Sequence, residues 1–263
     1  MKLPIYQVDA FTKRIFGGNP AAVIVLDEWH DDQTLQAIAA ENNLSETAFV
    51  IPGPKRSELR WFTPDVEMEL CGHATLAAAY VLFKDYFREE SDLLFDTKSG
   101  GLAVSRDRDC LFLDFPSRPG DPVAIDDSLI EALGTQPESA FLARDLMVVL
   151  ESEAQVRAFS PNYAAIQNLD AFALIVTALG DQADFVSRFF APGAGVPEDP
   201  VTGSAHCTLI PYWANRLEKS QLVARQLSSR GGQLSCEIHG DRVLIGGGVV
   251  EYMRGEIFVG SAN

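Results

Sequence analysis

The chain has 263 residues, enough at roughly 100–200 residues per domain for two domains that each bury a core. Hydrophobic residues make up 47% and charged residues 22%, the balance of an ordinary globular protein. The formal charge of −16 argues against nucleic acid or an anionic membrane surface as a partner, although clustered backbone N–H groups can still hold a small anion. In chain order, Ile5–Thr12 alternates as a strand, Phe16-Gly17-Gly18-Asn19-Pro20 is a turn and Ala21–Leu26 is a buried strand. Asp31 or Asp32 caps a helix with Leu35, Ile38 and Ala39 on one face, ending near Asn43. Strands follow at Thr47–Ile51 and Leu59–Phe62. From Gly72 to about Phe83 the chain reads as a helix apolar on every side, and such a helix is buried. Short strands are expected at Leu93–Thr97, Leu102–Ser105 and Leu111–Phe115.

The Pro-, Gly- and Ser-rich stretch Pro116–Pro122 places a domain boundary, giving halves 1–118 and 119–263, with the last strand a candidate to return to the first half. The second half should hold a helix near Ser128–Leu133, a strand at Leu146–Leu150, a helix from Glu153, and a strand at Phe172–Ala178. A helix near Ala183–Phe190 and a buried helix at Ala205–Leu217 follow. Strands at Gln233–Ile238, Arg242–Ile245 and Val249–Phe258 close the chain. The expected class is α+β, each half a mostly antiparallel sheet around one central helix.

The two halves echo one another. Arg60-Trp61-Phe62-Thr63-Pro64 returns as Arg188-Phe189-Phe190-Ala191-Pro192, and Cys71-Gly72-His73-Ala74 as Thr202-Gly203-Ser204-Ala205. Upstream, Asn43-Leu44-Ser45-Glu46 aligns with Asn168-Leu169-Asp170-Ala171. Polar residues break the symmetry: Glu46 stands against an alanine and His73 against Ser204.

Gly72 and Gly203 each open a helix. A first turn leaves about four N–H groups without partners, and the dipole adds roughly half a positive charge, so such ends suit a carboxylate. Both glycines also read as ordinary helix-start turns. Glu46 lies between an amphipathic helix and an apolar strand, where desolvation raises a carboxyl pKa and makes a general acid; it is equally placed to cap or pair at a strand start. His73 is a helix-head cap or a catalyst. Asp199, held between Glu198 and Pro200, aims at Ser204 or His73, and Ser204 can cap its own helix.

Rival chemistries find little support. Four cysteines without paired spacing favour a reduced, cytoplasmic location. The start is charged too early for a signal peptide, and no run approaches the ~20 apolar residues of a membrane span. Cys71-Gly72-His73 and His206-Cys207 tempt a metal reading, but nearby helical ligands diverge and no second Cys pair exists, so no metal is expected. Gly193-Ala194-Gly195 lacks a dinucleotide fingerprint's third glycine.

Taken together, these segments resemble the PhzF family. The likeness is carried by Val8-Asp9-Ala10-Phe11-Thr12 with Phe16-Gly17-Gly18-Asn19-Pro20, and by Leu44-Ser45-Glu46-Thr47-Ala48-Phe49 and Phe62-Thr63-Pro64. Cys71-Gly72-His73-Ala74-Thr75-Leu76, Glu198-Asp199-Pro200-Val201-Thr202-Gly203-Ser204-Ala205, Gly246-Gly247 and Arg254-Gly255-Glu256-Ile257 complete it. The resemblance implies a diaminopimelate epimerase-like fold of two pseudo-symmetric halves with the site in the cleft between them, and an isomerase that needs no organic cofactor or metal. Glu46 would be the acid/base, His73, Asp199 and Ser204 its supporting residues, and Gly72, Gly203, Thr202 and Asn19 substrate contacts. The expected partner is a small carboxylate substrate, with a homodimer as the assembly. Where the epimerases carry a cysteine before each helix-start glycine, this chain has Cys71 and Thr202, which weakens a two-thiol racemase. That racemase and a non-catalytic binding protein are the alternatives.

Overall fold

The computed structural model describes residues 1–260. Its elements in chain order begin with β1 (Lys2–Ala10), β2 (Asn19–Val25), α1 (Asp32–Asn42), β3 (Glu46–Ile51), β4 (Ser57–Phe62) and β5 (Glu67–Met68). Then come α2 (Gly72–Asp85), β6 (Asp92–Thr97), β7 (Gly100–Asp107), β8 (Cys110–Pro116), β9 (Asp121–Val123), α3 (Asp127–Leu133), β10 (Ser139–Leu142) and β11 (Leu146–Val149). The rest are α4 (Glu153–Ala158), α5 (Tyr163–Gln167), β12 (Leu174–Leu179), β13 (Phe185–Ala191), β14 (Val196–Asp199), α6 (His206–Leu217), β15 (Gln221–Gln226), β16 (Gly232–His239), β17 (Arg242–Gly247) and β18 (Val249–Phe258). Contacts divide the chain into one unit of Met1–Asp114 with residues 246–260, and another of Phe115–Ile245. The α+β class is as the sequence indicates. Among the described residues no helix is long and apolar enough to cross a membrane.

In the first unit β1 pairs antiparallel with β18 and with β2. Strands β2 and β3 then run parallel, Ala21 beside Glu46, because α1 carries the chain back between them. Asp31 caps α1 by accepting from the Thr34 N–H at 2.9 Å, and Asn43 ends it in the left-handed region at φ 48°. One face of this sheet packs Ala22, Ile24, Phe49 and Phe62 against Leu35, Ile38 and Ala39 of α1. On α2 everything from His73 to Phe83 except Tyr80 is buried, and the helix packs on β1, β2 and β3.

The second unit repeats this plan. Strands β11 and β12 are parallel, joined through α4 and α5; β12 and β13 are antiparallel; β13 and β15 are parallel. This matches β2∥β3, β3 against β4, and β4∥β6 of the first unit. Its core gathers Leu129, Leu133, Val156 and Ile166 from the helices onto Val148, Leu174, Val176 and Phe190.

Several expectations need correcting. The expected helix at Ala183–Phe190 is the strand β13. Its alternate aromatic and β-branched residues are held by β12 on one side and β15 on the other, and that pairing outweighs local helical spacing. Helix α6 begins at His206 instead of Ala205, and Gly203 opens a tighter turn ahead of it, with His206 N–H on Gly203 O at 3.0 Å and Cys207 N–H on Ser204 O at 3.2 Å. Pro211 lies inside α6 and cannot bond Cys207 O; the Arg118 N–H takes that carbonyl at 2.9 Å. The upstream echo is also out of step. Thr47 pairs with Phe62 as Leu174 pairs with Phe190, so the counterpart of Glu46 is Ala173, two residues beyond Ala171.

Candidate functional site

Two corners of the molecule hold the residues singled out above, one in each unit. In the first, β2 and β3 begin side by side, and α2 begins beside them. Gly18 precedes β2 at φ +66°, and a Cβ there would lie 2.1 Å from the Ala10 carbonyl, so only glycine lets the chain turn into Asn19. Asn19 is fully buried. Its Nδ2 stands 3.2 Å from Nδ1 of His73, the second residue of α2, and Cys71 Sγ is 3.6 Å from the same nitrogen. On the other side of the ring, Nε2 lies 2.9 Å from Oε2 of Glu46, the first residue of β3. That approach is at ion-pair distance without hydrogen-bond alignment, and both atoms are buried with no other hydrogen-bond partner. Glu46, Cys71 and His73 each place a donor atom within 4.8 Å of the others.

Charge at this corner is set by burial and by the neighbours. Burial opposes a positive His73, but the negative groups beside it, Cys71 and Glu46, outweigh that and raise its pKa well above the usual value. Burial pushes the Cys71 thiol up, and the Glu46 carboxylate adds to this. Asn19 suits either form of the ring. Its amide NH₂ donates to a neutral Nδ1, and its oxygen, if the amide is turned over, accepts from a protonated one. Asn19 thus backs the histidine.

In the second unit β14 ends at Asp199, and a turn carries the chain to α6. Asp199 Oδ2 accepts from the Thr202 hydroxyl at 2.5 Å. Gln226 closes the turn: Oε1 accepts from Thr202 N–H at 2.9 Å, and Nε2 donates to Asp199 O at 2.8 Å. His206 Nδ1 donates to Thr202 O at 2.8 Å. Burial pushes His206 down to about 4 against the pull of that carbonyl, so its ring is neutral. Ser204 does not cap α6; its Oγ accepts from Arg144 Nη2 at 3.4 Å. Arg144 is held bidentate on buried Asp145 and stacks 4.6 Å from the Phe172 ring centre. The N–H groups of Gly203 and Ser204 have no partner among the described residues.

The first corner thus joins Glu46, His73, Gly72 and Asn19, and the second joins Asp199, Thr202, Gly203 and Ser204. Sequence reasoning missed Arg144, Gln226 and His206. Arg144 and Gln226 lie far from the motif in sequence. His206 had a signal, since Thr75, at the matching place after Gly72, donates to Cys71 O at 2.6 Å just as His206 does to Thr202 O. The sequence argument against paired ligands on one helix does not hold at Cys71. That residue is the extended N-cap of α2, φ −143°, and its side chain turns toward His73.

A duplicated α+β frame of this kind is an epimerase-like fold. A hydroxyproline epimerase from Agrobacterium vitis shares the fold, with a TM-score of 0.63 at 10% identity over 97% of this chain and 92% of that one. Residues 8–255 match the PhzC-PhzF family, "Phenazine biosynthesis-like protein", and the chain belongs to it. An uncharacterized isomerase of Pseudomonas aeruginosa is 53% identical over 258 residues, 98% of this chain and 99% of the relative. The crystal structure of a PhzF-family protein from Enterococcus faecalis superposes with a TM-score of 0.97 at 48% identity, covering 98% and 100% of the two chains. The protein is an enzyme of the isomerase class.

Proposed function

We propose that this isomerase moves a proton within a small carboxylate substrate, with Glu46 as the proton carrier and neither metal nor organic cofactor in the step. The observation that carries the reading is the buried contact at 2.9 Å between Glu46 Oε2 and His73 Nε2, two atoms without another hydrogen-bond partner. A carboxylate facing a raised-pKa imidazolium can take a proton from carbon while the histidine stabilises or relays charge. His73 is held by Asn19 and Cys71, so it presents one nitrogen to Glu46 in a fixed direction. In the second unit Asp199 and Ser204 are the candidate substrate-orienting groups. Gly72 supplies a backbone donor for the substrate carboxylate; in the second unit Gly203 offers a donor of the same kind beside Thr202, with Arg144 as a cation at Ser204.

A racemase with Cys71 as one base fits less well. The thiol is buried and its pKa is raised, and the matching residue in the second unit is Thr202. The test is NMR in heavy water over a panel of cyclic and acyclic carboxylates. Wild type should wash deuterium into one of them, and Glu46→Gln should lose at least about a hundredfold of that rate. Full turnover in Glu46→Gln would overturn the mechanism, and a panel that binds without exchange would make the protein a binder.

A further inference from the structure

We propose that the outer edge of β18 is the surface on which two copies of this chain pair, strand to strand, about a two-fold axis at Gly255. The proposal does not rest on the reading of Glu46. The family likeness implies a pair of chains; this edge gives the pair a surface and a register.

Strand β18 pairs antiparallel with β1, and residues 252–256 are exposed on both faces, as at the rim of a sheet. A side chain placed on Gly255 would meet nothing within 4 Å. A sheet rim offers N–H and C=O groups to another strand, and proteins that stay single blunt it with lysine, proline or a bulge. From Met253 to Phe258 there is no lysine and no proline, and the one irregularity, opposite Gln7 and Val8, lies before Met253. The edge carries an apolar strip instead. Tyr252 is 47% exposed, Met253 42% and Phe258 77%, and Tyr252 lies against the exposed Phe16 ring at 5.6 Å between centres.

The order of the residues selects a second copy as the partner. Directly opposed residues of two antiparallel strands share a face of the sheet, so a two-fold axis through the pairing must pass through a residue and not between two. Centred on Gly255, the segment Met253-Arg254-Gly255-Glu256-Ile257 reads against itself. Arg254 meets the partner's Glu256 and Met253 meets the partner's Ile257, each pair occurring twice, and glycine stands opposite glycine at the axis. Opposite charges and paired apolar side chains are what favour directly opposed positions. An axis one residue to either side loses both matches: at Arg254 it sets Met253 on glycine, and at Glu256 it sets Arg254 on the phenyl ring of Phe258. Arg254 touches Asp85 and Glu251, and Glu256 touches Lys2, yet both side chains remain about half exposed and keep open positions for a partner. Ile257 pairs with Leu3 on the face that α1 covers, and a groove there is lined by Ile257, Val259, Ala37 and Ile38. The partner's Met253 comes down beside Ile257 at that groove, so pairing also covers apolar surface that the single chain leaves open. A peptide of another protein could add to the same edge, but nothing would then require the sequence to match itself about Gly255.

The test is light scattering after size exclusion on the full chain, with cysteine crosslinking to read the register. Wild type should run at the mass of two chains at micromolar concentration. Met253→Arg sets a charge opposite Ile257 twice over and should raise the dimer dissociation constant at least about tenfold, with the circular dichroism of wild type because the position is on an exposed edge. In Gly255→Cys the two thiols face each other across about 4.5–5.5 Å between Cα atoms, within disulfide reach, so a mild oxidant should link the dimer above the wild-type baseline. In Met253→Cys they stand ~13 Å apart, four residues along the strands, and should not link. A monomeric wild type, a dimer that Met253→Arg leaves intact, or crosslinking that fails at Gly255 or succeeds equally at Met253 overturns the proposal.

Discussion

The two corners are built on one frame and filled with different chemistry. In each unit a strand arginine grips, with two nitrogens, a glutamate of the next short strand: Arg60 on Glu67 and Arg188 on Glu198. The strand partners agree as well, Trp61 with Met68 and Phe189 with Asp199. Five residues after each glutamate comes the glycine, Gly72 or Gly203. Counted along this frame, Met68 answers to Asp199, Cys71 to Thr202, His73 to Ser204 and Thr75 to His206. Both copies therefore keep the bonds that hold the backbone, while the residues that could handle protons are dealt to different positions. Duplication supplies the scaffold, and substitution at a few frame positions makes the halves unequal.

The largest expected effect tests that inequality. Glu46→Gln should cost at least about a hundredfold in proton exchange, whereas Ala173, its counterpart by register, has no carboxyl to lose. Measured rates that fall equally for Ala173→Gly would make the corners equivalent after all.

The two buried histidines should titrate with opposite sign. His206 sits near 4 in the folded protein against an ordinary 6.5, so the unfolded chain takes its proton first. Stability should fall between about pH 6.5 and pH 4, by roughly 3 kcal/mol, because each pH unit between those two values is worth about 1.4 kcal/mol. Urea unfolding at pH 7 and pH 4 should show this loss in wild type and not in His206→Thr. His73 is raised instead, so its contribution is complete below about 6.5 and disappears as pH climbs through the folded value. Relative to His73→Asn, wild type should therefore be more stable at pH 5.5 than at pH 9.

A smaller effect asks whether Thr75 and His206 do the same job. Threonine and valine have the same shape, so any cavity left by the histidine is common to His206→Thr and His206→Val. Threonine should be the more stable by about 1–3 kcal/mol, the cost of leaving Thr202 O unpaired. Thr75→Val should lose a similar amount through Cys71 O. Equal midpoints for the Thr and Val variants would mean that this carbonyl needs no partner.

The smallest expected effect is at Cys71. With Glu46 as the carrier, Cys71→Ala should keep exchange within about tenfold of wild type; a loss of a hundredfold would favour a thiol base.

Much of this protein was present in the residue string. The amphipathic spacing of Leu35, Ile38 and Ala39, the capping Asp31 and the apolar run after Gly72 are local signals, and the elements formed where they stand. The repeated Arg-aromatic-Phe and small-Gly motifs also showed that the frame occurs twice. Tertiary structure decided what pairing across the sheet decides. Segment 183–190 became strand because two neighbours offered it hydrogen bonds. Glu46 found its true counterpart in Ala173 through register. Asn19, Cys71, His73 and Glu46 came together because parallel strands start at one end and a buried helix begins beside them. Local spacing reports the period of an element, but which side chains meet depends on long-range packing that no short stretch of sequence contains.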